Sequence, residues 1–203
     1  MIINYQNYDL FGGTIKINLP NFLLDVSQIR QVPDSQEVFI LKSTHQFNHI
    51  NTELSIIIEV LQKISNSNDL MTSIRLHFDS LAHDNSAQSS TVLNTSGPAV
   101  SEILPEPSQT AIRPTPQPIL LEGIQTVSKF NRPASEADEV HIWMALWTLD
   151  GVGNGGLGTD LVLTINLPQA DSNSSQTVAI QQTTEIFQQA ATSLKIIDWN
   201  LFA

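Results

Sequence analysis

The stretch VHIWMALWTL, residues 140–149, decides the fold class. It is apolar at nearly every position, so a strand formed here has two apolar faces, which predicts a place in the centre of a sheet. The segment LVLTINL, residues 161–167, has a large apolar residue at every second position and predicts another strand. Between them, the spacing Gly151-x-Gly153-x-x-Gly156 matches a dinucleotide-binding turn. Such a turn leads into a helix, whereas a strand follows here, so we expect the loop of a hairpin.

Two further segments alternate between apolar and polar side chains. The segment LFGGTIKINLP, residues 10–20, predicts a strand after a Gly-Gly turn, and ILLEGIQTVSK, residues 119–129, predicts another. A strand is also expected to begin at Val38, directly after the turn sequence that starts at Pro33.

Three segments carry apolar residues at helical spacing. The first begins after Asn51 and predicts an amphipathic helix, the second runs from Asp69 to about Asn85, and the third covers 176–194. Five or six strands with two or three helices indicate an α+β fold, with helices laid on an antiparallel sheet. The apolar positions of the three helices are Leu54, Ile57, Ile58, Leu61 and Ile64; Leu70, Ile74, Phe78 and Leu81; and Val178, Ile186, Phe187, Ala190 and Leu194.

Residues 86–118 are rich in Ser, Thr, Asn and Gln and contain six prolines. So little apolar surface cannot offset the entropy of ordering, which predicts a mobile loop or an extended linker. The segment VSEIL, residues 100–104, could form one short strand within it.

The composition limits the classes of partner. Nine Lys and Arg against twenty Asp and Glu give a formal charge of −11, which repels nucleic acid and anionic membrane surfaces and favours a basic protein partner. The chain has no cysteine, and its start lacks the pattern of a signal peptide. We expect a soluble intracellular protein that acts as a monomer.

Candidate catalytic and metal-binding residues are few. His45, His49 and Glu53 are spaced four apart and would share one face of a helix as metal ligands, but the predicted helix starts only at Asn51. His141 lies within a predicted central strand, where a hydrogen-bonded core residue is more common than a catalyst. No nucleophile elbow, phosphate loop or zinc-protease motif is present in the sequence, so an enzyme is unsupported and no cofactor is expected.

The stretch DVSQIRQVPDSQEVF, residues 25–39, gathers charged and amide side chains around one proline. In one interpretation, Asp25 caps a short helical turn and Arg30 forms a surface ion pair with Asp34 or Glu37. In the other, a proline-stiffened loop presents carboxylates to a basic partner at low entropic cost. The residues alone leave both interpretations open.

The segment from residue 10 to 40, LFGGTIKINLPNFLLDVSQIRQVPDSQEVFI, closely resembles the start of the Mog family, the Ran guanine nucleotide release factors. The resemblance continues through ELSIIIEVLQ, LHFDSLAHDN, TDLVLTINLP and the terminal LFA, so it covers nearly all of the chain apart from 86–118. That segment and the Gly-rich loop 151–158 are longer than the family norm, and no family property is carried over onto them.

The resemblance implies a single Ran-binding domain over 1–203. Its expected fold is a three-layer α/β/α sandwich, in which helices flank a mainly antiparallel sheet of about six strands, as in the PsbP proteins. The implied function is to bind the small GTPase Ran, in nucleus and cytoplasm, and promote release of its guanine nucleotide in support of nuclear import. The alternative is a non-catalytic adaptor that binds a GTPase or another basic partner without altering nucleotide exchange. The positions that match the family's acidic loop are Asp25, Arg30, Pro33, Asp34, Gln36 and Glu37, to which we add Glu53 as a partner-binding candidate.

Overall fold

The computed structural model describes residues 3–41, 54–64, 69–98, 113–128, 137–169 and 174–202 of the chain. This part contains ten strands and two α-helices. In chain order they are β1 Tyr5–Leu10, β2 Ile15–Pro20, β3 Leu24–Asp25, β4 Gln36–Leu41, β5 Leu54–Gln62, α1 Leu70–Asp84, β6 Ser89–Ser96, β7 Ile119–Val127, β8 Asp138–Leu149, β9 Thr159–Pro168, α2 Ser174–Ser193 and β10 Lys195–Ile196.

Seven of the described strands form one antiparallel sheet in the order β3-β4-β5-β9-β8-β7-β6. A smaller sheet has the order β1-β2-β10. Strand β8 lies between β9 and β7 and is buried from Val140 to Leu149, which confirms the central position that its two apolar faces predict. Strands β8 and β9 pair as a hairpin around the Gly-rich loop, also as predicted.

The large sheet carries a different hydrophobic cluster on each face, because alternate side chains of a strand point to opposite sides. On one face, Ile142 and Met144 of β8 pack with Ile74 and Phe78 of α1. On the other face, Trp143 and Trp147 belong to the cluster that contains α2 and the small sheet. The described residues therefore form three layers, which confirms the α+β class and the flanking helices.

One glycine sets how closely α1 can approach the sheet. A Cβ atom added to Gly123 of β7 would lie 2.5 Å from the Phe78 ring and 2.8 Å from the Thr91 carbonyl oxygen. A larger residue at this position would therefore push α1 away from its strands.

The predicted helix after Asn51 is wrong. Residues Leu54–Gln62 form β5, which pairs with β4 on one side and β9 on the other. The residues at helical spacing share this segment with Ile56 and Val60, so apolar side chains occupy both faces, and the β-branched residues favour a strand. Leu54, Ile56 and Ile58 are fully buried at a period of two.

The other two helix predictions are confirmed. Helix α1 begins after Asp69, whose side chain accepts a hydrogen bond from the Met71 N–H at 3.1 Å, and it ends before Asn85. Helix α2 buries Ile186, Phe187 and Ala190. Val178, which was predicted on the same face, is exposed instead.

The prediction of a loop throughout 86–118 is corrected by β6. Its residues Ser89–Ser96 pair with β7 through the backbone and form an edge of the large sheet, although most of their side chains are exposed. An edge strand needs no apolar pattern when its neighbour supplies the hydrogen bonds, so its sequence gives little signal. The short strand predicted at 100–104 lies outside the described residues.

Carboxylate–histidine pairs occur on both faces of the sheet, one of them fully buried and the other partly exposed. Asp160 of β9 is fully buried and accepts hydrogen bonds from Thr148 at 2.8 Å and from the Ile64 N–H at 3.2 Å, and its Oδ2 lies 2.8 Å from His77 Nε2. His141 is stacked on Trp143 and lies 2.7 Å from Glu122 Oε1, which confirms the prediction of a hydrogen-bonded core residue.

Candidate partner-binding surface

The first half of the loop between β3 and β4 is a capped turn. The Asp25 carboxylate accepts a hydrogen bond from the Ser27 N–H at 2.8 Å, and a short 3-10 turn follows at Val26–Gln28. The N–H groups of Ile29 and Arg30 donate to the Val26 carbonyl oxygen at 2.9 and 3.1 Å. Val26 is buried and anchors the turn to the body of the protein. The predicted N-cap and helical turn are confirmed.

The second half of the loop is fixed by backbone hydrogen bonds to strands. The Gln36 N–H donates to the Pro33 carbonyl oxygen at 2.9 Å, which closes the predicted turn. The Val60 N–H of β5 donates to the Ser35 carbonyl oxygen, also at 2.9 Å. Because Pro33 has a restricted φ angle and both ends are hydrogen-bonded, little conformational entropy remains to be lost when a partner binds here.

The side chains between these anchors face solvent. Arg30, Pro33 and Asp34 are exposed, and Ile29 exposes 61% of its surface. Within the described residues, the side chains of Arg30 and Asp34 form no ion pair, with each other or with Glu37. The interpretation as a turn braced by a surface ion pair therefore receives no support from the described contacts, and a carboxylate and a guanidinium are both open to a partner.

Glu37 is directed toward the rest of the protein and is half-buried. Its Oε1 accepts a hydrogen bond from the Phe11 N–H at 2.6 Å, so β4 is tied to the turn between β1 and β2. Phe11 has a φ angle of +47°, a conformation that costs roughly 1–2 kcal/mol for a side chain other than glycine. The Glu37 hydrogen bond helps to hold that turn, so this carboxylate has a structural contact that the sequence does not reveal.

Gln36 points to the other face of the sheet and contacts Glu59. Its Nε2 donates to Glu59 Oε1 at 2.5 Å, across a directly opposed pair of β4 and β5 residues. Burial raises the pKa of Glu59, while the Gln36 hydrogen bond and nearby His77 oppose that rise. The sequence reasoning missed Glu59 because it placed this residue on a helix. Correct pairing of β5 with β4 would have put it beside Gln36.

A groove of about 390 Å³ continues from the loop along the α1 face of the sheet. Arg30 lies at its rim, and its floor includes Val38, Ile40 and Ile57. Leu81 and Asn85, at the C-terminal end of α1, also line the groove. The exposed loop and this apolar groove together form one continuous candidate surface.

The remaining site predictions have different outcomes. His45, His49 and Glu53 lie outside the described residues. In the described ranges, three or more His, Asp or Glu side chains never come together as a metal site would require. The same ranges contain no helix long and apolar enough to cross a membrane.

Comparison with known proteins gives one consistent family. Residues 8–168 match the family described as Ran-interacting Mog1 protein. The Ran guanine nucleotide release factor of Danio rerio is 33% identical over 198 residues, which cover 95% of this chain and 97% of the relative. The nuclear import protein mog1 of Schizosaccharomyces pombe is 29% identical over 205 residues, with 96% and 98% covered.

The fold agrees with this result. The crystal structure of the Saccharomyces cerevisiae Ran-binding protein Mog1p superposes with a TM-score of 0.74 at 22% identity, covering 100% of both chains. The match over residues 8–168 and the coverage of the relatives show that this chain belongs to the Ran-interacting Mog1 family.

Proposed function

We propose that this protein binds Ran and promotes release of its bound guanine nucleotide, in support of nuclear import. The observation that carries the proposal is the loop at residues 25–37, which is held by hydrogen bonds yet leaves Asp34 exposed. It lies in a chain that matches proteins named Ran guanine nucleotide release factors over nearly their whole length. We expect the protein to act as a monomer in the nucleus and cytoplasm.

The proposed mechanism is electrostatic. A GTPase holds the phosphates of its nucleotide with a lysine and Mg²⁺. A fixed carboxylate brought close to this site attracts the lysine and repels the phosphates, so the partner binds nucleotide-free Ran better than loaded Ran. By thermodynamic reciprocity, the same partner must weaken nucleotide binding, and roughly 1–3 kcal/mol of coupling corresponds to about 5- to 150-fold.

The residues of the loop have separate roles in this proposal. Asp34 supplies the outward charge, while Asp25 and Pro33 fix the path of the backbone. Gln36 and Glu37 hold the loop to β5 and to the β1–β2 turn, and the Glu37 carboxylate adds a second negative charge at the end of the loop. Arg30 orients the partner from the rim of the groove. Glu53 remains a prediction.

The proposal requires no bond to be made or broken, so the protein acts without chemistry of its own. The formal charge of −11 supports a basic protein surface as the partner and opposes binding to nucleic acid or an anionic membrane. Because charge attraction across an interface speeds association, added salt should slow formation of the complex.

The test is the dissociation rate of a fluorescent guanine nucleotide from Ran, measured with and without the protein at equal concentration. We expect faster dissociation, and a smaller acceleration as the salt concentration rises. Binding to Ran that leaves the dissociation rate unchanged would favour the adaptor alternative. The absence of both binding and acceleration would refute the proposal.

A further inference from the structure

A second cavity, of about 770 Å³, lies on the α2 side of the large sheet. It is bounded by the end of α2, by β10 and by residues 113–118, which lead into β7. Thr115 Oγ1 accepts a hydrogen bond from the Ile196 N–H at 2.8 Å, so residues 113–118 are fixed to β10. The volume falls within the range of roughly 300–1,000 Å³ that is typical of small-molecule sites.

The floor and walls of the cavity are mostly apolar. Leu120 of β7 and Trp147 of β8 lie on the sheet side, and Leu194 and Ile196 come from the end of α2 and from β10. Pro116, which follows Thr115, is a buried part of the lining. Such a lining favours an apolar ligand body, which gains roughly 25 cal/mol for each Å² removed from water.

The charge of the lining is opposite to that of the whole protein. The described lining residues include Arg113 and Lys195 but no aspartate or glutamate. The chain as a whole has twenty acidic and only nine basic residues. Among the described residues, the lining therefore has two cations and no carboxylate, a local exception that favours an anionic group.

Arg113 of the lining packs against Trp199, and each side chain has a buried N–H group without an acceptor in the described part of the chain. The Arg113 guanidinium lies 4.3 Å from the centroid of the Trp199 ring. Within the described structure, neither Arg113 Nε nor Trp199 Nε1 has a hydrogen-bond partner, although both atoms are buried. The guanidinium has further N–H groups besides Nε, and an anion in the cavity would supply acceptors for them.

We propose that this cavity binds a small amphiphilic anion, in which an apolar chain or ring carries one carboxylate or similar group. Arg113 holds the anionic group and Lys195 adds positive potential at the mouth. The apolar part packs against Leu120 and Trp147. This site is separate from the loop at residues 25–37, and the proposal does not depend on Ran.

The test is calorimetric titration of the full chain with dodecanoate below its micelle concentration, and with 1-dodecanol and inorganic phosphate in parallel. We expect saturable binding of dodecanoate at one site, weaker binding of dodecanol and no binding of phosphate alone. Equal affinity for dodecanoate and dodecanol would overturn the role of the cations, and the absence of saturable dodecanoate binding would overturn the site.

Three variants test whether dodecanoate binds in this cavity. Arg113→Gln removes the charge and should raise the dodecanoate Kd by about 10- to 100-fold, the loss expected for a charge-assisted hydrogen bond. Thr192→Trp places a large ring at an exposed position of the lining and should block binding without disturbing the core. Arg75→Gln makes an equal charge change at an exposed position of α1, and this control variant should bind dodecanoate with unchanged affinity. Unchanged affinity in both Arg113→Gln and Thr192→Trp would contradict the assignment.

Discussion

Asp160 and Asp34 are both aspartates close to strands of the same sheet, but their surroundings differ completely. Asp160 is fully buried, and its two carboxylate oxygens contact Thr148, the Ile64 N–H and His77. Asp34 is exposed, and its side chain forms no hydrogen bond or ion pair within the described structure. In a chain this acidic, a count of acidic residues therefore cannot distinguish an available carboxylate from one that holds the structure together.

The two regions also differ in what holds them. At Asp160 the carboxylate itself holds β9, α1 and the end of β5 together. In the loop around Asp34, the backbone and neighbouring side chains provide the order, and the carboxylate remains available. We therefore expect changes of these carboxylates to divide into effects on stability and effects on Ran.

Asp160→Ala should have the largest effect on stability. It leaves the Thr148 hydroxyl, the Ile64 N–H and His77 without their buried partner, and loss of one member of such a buried group costs about 3–5 kcal/mol. The free energy of unfolding in urea measures this loss. Asp79→Ala changes an exposed aspartate of α1 and should stay within about 0.5 kcal/mol of the unaltered protein. Equal stability of the two variants would contradict the structural role of Asp160.

Glu37 should show both kinds of effect, because it contacts the Phe11 N–H and lies beside the exposed loop. Glu37→Ala removes the acceptor and should lower the free energy of unfolding by about 1.5 kcal/mol. Glu37→Gln keeps an acceptor oxygen and should change stability less. Both variants lose the charge, so both should slow nucleotide release from Ran. Release by Glu37→Gln at the rate of the unaltered protein would remove Glu37 from the proposed site.

Replacement of Glu59 should have a smaller effect on the free energy of unfolding, and this effect should depend on pH. Burial raises the pKa of Glu59 above its ordinary value of 4.5. Protonated Glu59 therefore contributes stability that is fully present below that pH and is lost as the pH rises through the raised pKa. Glu59→Gln carries no charge, so its stability relative to the unaltered protein should increase as the pH rises above 4.5. Urea unfolding at several pH values measures the difference, and a constant difference would contradict the pKa shift.

Much of the loop was predictable because its order is local. The N-cap at Asp25, the short turn after it and the turn at Pro33 depend on hydrogen bonds within a few residues, and the sequence contains their signals. The central strand β8 was predictable for a similar reason, since a strand with two apolar faces can bury both of them only inside a sheet.

The parts that the sequence did not predict depend on distant partners. Strand β5 has apolar side chains at both helical and strand spacing, and only pairing with β4 and β9 decides between them. Strand β6 is polar and owes its conformation to the backbone of β7. The contacts from Glu37 to Phe11 and from Gln36 to Glu59 join residues that are 26 and 23 positions apart in sequence, so no local pattern predicts them.

In the proposed function, the exposed loop acts on Ran through the charge of Asp34, and a matched pair of variants tests this role. Asp34→Lys and Asp79→Lys make the same charge change at two exposed positions, and neither should alter stability by more than about 0.5 kcal/mol. The rate of nucleotide dissociation from Ran should fall about tenfold or more with Asp34→Lys and stay unchanged with Asp79→Lys. Equal rates for Asp34→Lys and the unaltered protein would contradict the account.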